Sequence, residues 1–192
     1  LWKQNRRRSP ELGFWLVNFI LLLIALLALV LRGIMPEGIS IMLGYPLTLG
    51  GTLLMYIGLE RYTGKPSSQW HNLLLLVVFV TVHAYFAFAQ PSLQTRDIAF
   101  TLVLLIYHSQ CAWLLLRRVD FEMRPITRTV GMVWVVYILV NLLKLFVVLT
   151  TSPKHSLFTS GLYDTLLVVC YQMLTIILTY ALVLMVNRRL LI

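Results

Sequence analysis

The chain has 192 residues, of which 59% are hydrophobic and only 12% charged, with a formal net charge of +9. A soluble domain carries roughly 25% charged residues, so half of its usual water-facing surface is missing and a soluble fold is excluded. The positive charge forms no single patch suited to nucleic acid; it is dealt out to short segments between apolar runs, a topology signal.

Six spans are predicted, each of a length suited to crossing a bilayer. The first runs over Phe14–Leu31 and stops at Arg32-Gly33-Ile34-Met35-Pro36. The second, Ile39–Leu59, ends at Glu60-Arg61-Tyr62-Thr63-Gly64-Lys65-Pro66. Inside it Pro46 removes a backbone donor and is expected to kink the helix. Gly44, Thr48 and Thr52, with Gly51 and Gly58 nearby, let a neighbouring helix approach closely, either within this chain or in a homodimer. The third covers Trp70–Ala89 and the fourth Ile98–Leu116; the fifth is Val130–Thr150 and the sixth Thr165–Val186. Pro, Gly or charge marks every boundary. The expected class is all-α, a single polytopic transmembrane helix bundle over residues 1–192.

Twelve of the sixteen Lys and Arg residues collect on one side of this arrangement, in the N-terminal segment, the second–third and fourth–fifth connections and the C-terminus. The other side holds Arg32, Arg96 and Lys154. The positive-inside rule then puts both ends of the chain in the cytoplasm. Trp2, Trp15, Trp70, Trp113 and Trp134 fall at or near the same side, where an indole sits at headgroup level. Membrane lipids are thus the first expected partner, and the basic connections are expected to meet their headgroups.

The sixteenth cation is the informative one. Lys144 lies inside the fifth span, where a charge is costly and by default faces protein or a water-filled cavity. Trp134, Tyr137, Asn141 and Lys144 recur at steps of three, four and three, which places them on one helix stripe. His83 on the third span, Tyr107 and His108 on the fourth and Gln172 on the sixth are candidates at similar depth, with Thr175 and Thr179 below Gln172. Asn141 and Lys144 require partners, because an unpaired polar group in hydrocarbon costs several kcal/mol. Two readings stand. In one, Lys144, Asn141, Tyr137, His83, His108, Tyr107 and Gln172 line a pocket in which Lys144 takes a small anionic or amphipathic ligand. In the other, Lys144 snorkels or pairs with Asp164 or Asp97 as a structural latch.

No converging set of metal ligands is expected, and no cofactor. Cys111 and Cys170 read as small apolar residues. A nucleophile–base pair or a metalloenzyme motif is absent, so no catalytic activity is expected of this segment.

The stretches Leu1-Trp2-Lys3-Gln4-Asn5-Arg6-Arg7-Arg8-Ser9-Pro10-Glu11-Leu12-Gly13-Phe14-Trp15, Leu31-Arg32-Gly33-Ile34-Met35-Pro36, Tyr56-Ile57-Gly58-Leu59-Glu60-Arg61-Tyr62-Thr63-Gly64 and Met185-Val186-Asn187-Arg188-Arg189-Leu190-Leu191 together resemble the N-terminal multi-helix sensor region of bacterial signalling proteins. The resemblance implies a helix before this chain, making seven in the parent protein. It also implies a PAS, histidine-kinase or GGDEF diguanylate-cyclase output beyond the last helix, in a protein of the bacterial inner membrane. The function so implied is sensing of a small molecule, relayed through the sixth span. A transporter or channel subunit with a polar intramembrane path is the alternative, although inverted repeats are not seen. A ligand-free anchor or dimerisation bundle is a third.

Overall fold

The computed structural model describes residues 11–31, 34, 37–150 and 162–190. They form six long helices and, among the described residues, no strand. The helices are α1 (Glu11–Val30), α2 (Glu37–Tyr62), α3 (Trp70–Ala84), α4 (Leu93–Trp113), α5 (Arg124–Thr150) and α6 (Leu162–Leu190). All six are long and apolar enough to cross a membrane. Their outward faces carry large apolar side chains such as Leu23, Val77, Phe146 and Ile176, a surface that suits lipid and not water.

Two helices end in a wider π-helical turn, Tyr85–Ala89 after α3 and Leu114–Arg118 after α4. A short 3-10 turn, Phe121–Met123, leads into α5. The helices extend past several predicted span ends: α5 begins at Arg124, before Val130, and α6 runs on to Leu190. Helical hydrogen bonding does not stop at the edge of the hydrocarbon, and Pro125 sits in the first turn of α5, where its missing N–H is harmless. Pro46, where a kink is expected, lies inside α2, which runs on through it to Tyr62.

The chain divides into two compact units, residues 1–107 and 108–192, with the boundary inside α4. In the first unit α1 packs along α2, and two glycines make the approach close. A Cβ on Gly51 would lie 3.0 Å from Asn18 Oδ1, and one on Gly58 would lie 2.5 Å from Trp15 Nε1. The hydroxyl of Ser40 donates to the carbonyl of Ala28 at 2.6 Å and closes the other end of this helix pair. A second contact surface joins α2, α3 and α4 through Leu49, Leu53, Phe79, Phe100, Val103, Leu104 and Tyr107.

The α2–α3 connection is tied to the carboxylate of Glu60, which is 2% exposed. It accepts hydrogen bonds from Ser67 Oγ and Gln69 Nε2, both at 2.6 Å, and from the Ser67 amide at 3.3 Å. Gly64, at φ +70°, provides the left-handed residue that lets the Lys65 amide reach back to the Glu60 carbonyl at 2.9 Å.

In the second unit Gly131 brings α5 against the turn that follows α4, where an added Cβ would lie 2.6 Å from Leu116 Cδ2. The hydroxyl of Thr127 donates to the carbonyl of Leu115 at 2.9 Å, satisfying an acceptor that a π-helical end leaves available. Helix α6 buries Leu174, Leu178, Ala181, Leu182 and Met185, one stripe at helical spacing.

Candidate functional site

Among the described residues, a dense polar arrangement between helices lies in the second unit, around Asn141 of α5. Asn141 is fully buried, and its side chain uses both ends of the amide. Nδ2 donates to the carbonyl of Tyr137 at 2.7 Å, and a carbonyl can only accept, which fixes the orientation of the amide. The same nitrogen lies 3.2 Å from His108 Nδ1, so the imidazole accepts there and carries its ring proton on Nε2. Oδ1 accepts a hydrogen bond from the phenol of Tyr171 on α6 at 2.9 Å.

A second bond crosses between the same two helices. Thr175 gives its only hydroxyl proton to the Tyr171 carbonyl at 2.8 Å. The Tyr137 phenol, 3.0 Å from Thr175 Oγ1, is therefore the donor in that contact. The result is a closed ring: Asn141 to the Tyr137 backbone, Tyr137 to Thr175, Thr175 to the Tyr171 backbone, and Tyr171 back to Asn141. Around it pack His108, Trp134 and Tyr137, with ring centroids 5.0 to 5.3 Å apart, and Tyr171 lies 6.2 Å from Tyr137. The indole N–H of Trp134 is buried beside this ring without a hydrogen-bond partner.

Of the seven predicted site residues, Tyr137, His108 and Asn141 meet in this clasp. Lys144, one turn further along α5, is half-buried, and Gln172 is exposed on α6. His83 and Tyr107 belong to the first unit and serve other contacts. His83 Nε2 donates to the carbonyl of Ile41 at 3.0 Å, and its ring lies between Tyr45 and Phe79 at 5.3 and 5.4 Å. Tyr107 donates to the Asn72 carbonyl at 2.8 Å, an anchor between α4 and the start of α3.

Of the two carboxylates considered for a latch, Asp97 accepts from the Tyr45 phenol at 3.0 Å, and the Asp164 side chain lies outside the described residues. Among the described residues no three His, Cys, Asp or Glu side chains converge on a possible metal position.

Sequence reasoning missed Tyr171. The available signal was its spacing of four from Thr175, which puts both on one stripe of α6. What the clasp does is tie α5 to α6 through two side-chain bonds. No family model matches the chain, nor does any curated protein or solved structure.

Proposed function

We propose that this chain is the transmembrane input module of a bacterial signal-transduction protein with a histidine-kinase or diguanylate-cyclase output. The observation that carries the reading is the clasp itself. It joins α6 to α5 by two side-chain bonds, Tyr171 to Asn141 and Tyr137 to Thr175, one turn apart on α6. From Thr175 the helix continues without interruption to Leu190, roughly 22 Å at 1.5 Å per residue. A small displacement of α5 would thus reach the end of α6 through a stiff element. The resemblance of the chain's span ends and connections to bacterial sensor regions supports the same reading. The stimulus we assign is a small anionic or amphipathic molecule recognised beside Lys144, which biases two packings of α5 against α6. A ligand can do so only to the extent that its affinities for the two packings differ.

This reading carries a topology: the inner membrane, with both ends of the chain cytoplasmic. A single cysteine at exposed Ser68 should resist a membrane-impermeant thiol reagent added to intact cells, whereas one at Ser156 should react. The reverse pattern would overturn the topology.

The sensor reading itself is tested with fusions in which α6 is continued as helix beyond Leu190 into the dimerisation helix of a histidine kinase. Insertion of one to four residues after Val186 should change autophosphorylation with a period of about 3.6 residues, since each insertion rotates the output relative to the clasp. Output that ignores the phase of insertion would contradict a helical relay and favour a membrane anchor.

A further inference from the structure

The junction between α4 and α5 is built on two sides. Inward, Leu114, Leu115, Val119, Ile126 and Thr127 are all buried, and the Thr127–Leu115 hydrogen bond pins the two segments together. Outward, Arg117, Arg118, Arg124 and Arg128 are exposed, against two exposed carboxylates, Asp120 and Glu122. Trp113 and Phe121 flank them, 65% and 82% exposed.

The arginines do not simply fan out. The Arg124 guanidinium folds back over the junction, with Nε 3.4 Å from the Val119 carbonyl and Nη2 3.4 Å from the Arg117 carbonyl. It also stands 6.0 Å from the centroid of Phe121. Of its five N–H donors, three remain for a ligand. Arg128 follows Arg124 by four residues on α5 and shares its face. Arg117 stands next to the Arg124 head through its own carbonyl. A surplus of guanidinium donors is thereby held on a fixed turn next to two exposed aromatic side chains, at the ends of two helices able to cross a membrane.

We propose that this outward face binds the phosphodiester headgroup of an anionic phospholipid, gripped by Arg117, Arg124 and Arg128, with Trp113 and Phe121 among the upper acyl carbons. Guanidinium groups match phosphate oxygens in charge and fork geometry. A large exposed aromatic beside them is best accommodated at the boundary of headgroup and hydrocarbon. The aromatic flank is the reason to assign a lipid and not a free phosphate ion, which would gain nothing from Trp113 or Phe121. The inference is independent of the sensor reading and requires only that the chain span a membrane.

The test is native mass spectrometry of the full chain released from mixed micelles of phosphatidylcholine with phosphatidylglycerol or cardiolipin. The unaltered chain should retain the anionic lipids in preference to phosphatidylcholine. Arg117→Gln with Arg128→Gln, which leaves the Arg124 contacts in place, should weaken that retention about tenfold or more, given the usual contribution of each basic residue at a membrane surface. Arg117→Lys with Arg128→Lys should keep most of it, and Arg61→Gln with Lys65→Gln, in the other basic connection, should keep all of it. Equal retention of phosphatidylcholine by the unaltered chain would overturn the proposal. So would full retention of anionic lipid by the double glutamine variant, or an equal loss in the Arg61 and Lys65 variant. A circular-dichroism melt of the glutamine and lysine variants separates lost binding from lost folding, because the lysine pair preserves charge at the same positions.

Discussion

Asn141→Ala is expected to destabilise the second unit by roughly 2–3 kcal/mol, a large effect for one side chain in a membrane protein. The substitution removes three hydrogen bonds at once, to the Tyr137 carbonyl, to His108 Nδ1 and from Tyr171. Individual side-chain bonds between membrane helices average about 0.6 kcal/mol, so the two that cross to His108 and Tyr171 would give just over 1 kcal/mol. The remainder comes from leaving the Tyr171 phenol and the His108 ring nitrogen without their partner in an apolar interior. Unfolding in mixed micelles should show the loss directly. Tyr171→Phe should cost less, and the double variant should fall short of additivity by at least about 0.5 kcal/mol, because both changes remove one shared bond. Full additivity would mean that Asn141 and Tyr171 do not interact.

The second large effect comes from comparing two glycines on the same helix. Gly58→Ala inserts a Cβ 2.5 Å from Trp15 Nε1, 2.6 Å from Trp15 Cδ1 and 3.1 Å from Phe14 Cβ. The Trp15 ring is 4% exposed and packs 5.7 Å from Tyr62, so it has little room to swing aside. Overpacking of this kind typically costs about 1–3 kcal/mol, which outweighs the gain in helix propensity. Gly44→Ala meets nothing within 4 Å and should instead be neutral or stabilising by up to about 1 kcal/mol. Melting temperatures of the two variants should therefore move in opposite directions. A shared direction would show that α1 does not close on α2 at Gly58.

The spans were readable because long apolar runs bounded by Pro, Gly and charge have few other interpretations. The glycines of α2 were readable as a close-packing surface, but not which of them a neighbour uses. Gly51 and Gly58 face α1, while Gly44 has open space beside it.

The candidate site was partly readable. The spacing of Trp134, Tyr137, Asn141 and Lys144 placed them on one stripe of α5, and the first three are buried, with Lys144 half-buried at its end. The partners across the helix gap were not readable, and α6 shows why. Leu174, Leu178 and Leu182 are buried while Leu166, Met173, Ile176 and Ile177 are exposed. A helix that is apolar all round does not reveal from composition which face turns inward. With that rotation unknown, Gln172 and Tyr171, adjacent in sequence and both polar, could not be ranked. Packing places Tyr171 in the clasp and leaves Gln172 exposed. Lys144 stands out in the sequence because charge in a span is rare, whereas the clasp is built from uncharged side chains one and two turns away, which composition does not single out.

In the proposed relay, the α5–α6 clasp sets the state that α6 delivers to an output domain. Its most direct test uses the same kinase fusions, now with Asn141→Ala, Tyr171→Phe and the pair together, at matched amounts of folded protein. Both single changes should shift autophosphorylation in the same direction, and the pair should shift it no further than Asn141→Ala alone. Autophosphorylation unchanged in all three, with the clasp's loss verified by the stability measurements above, would contradict it.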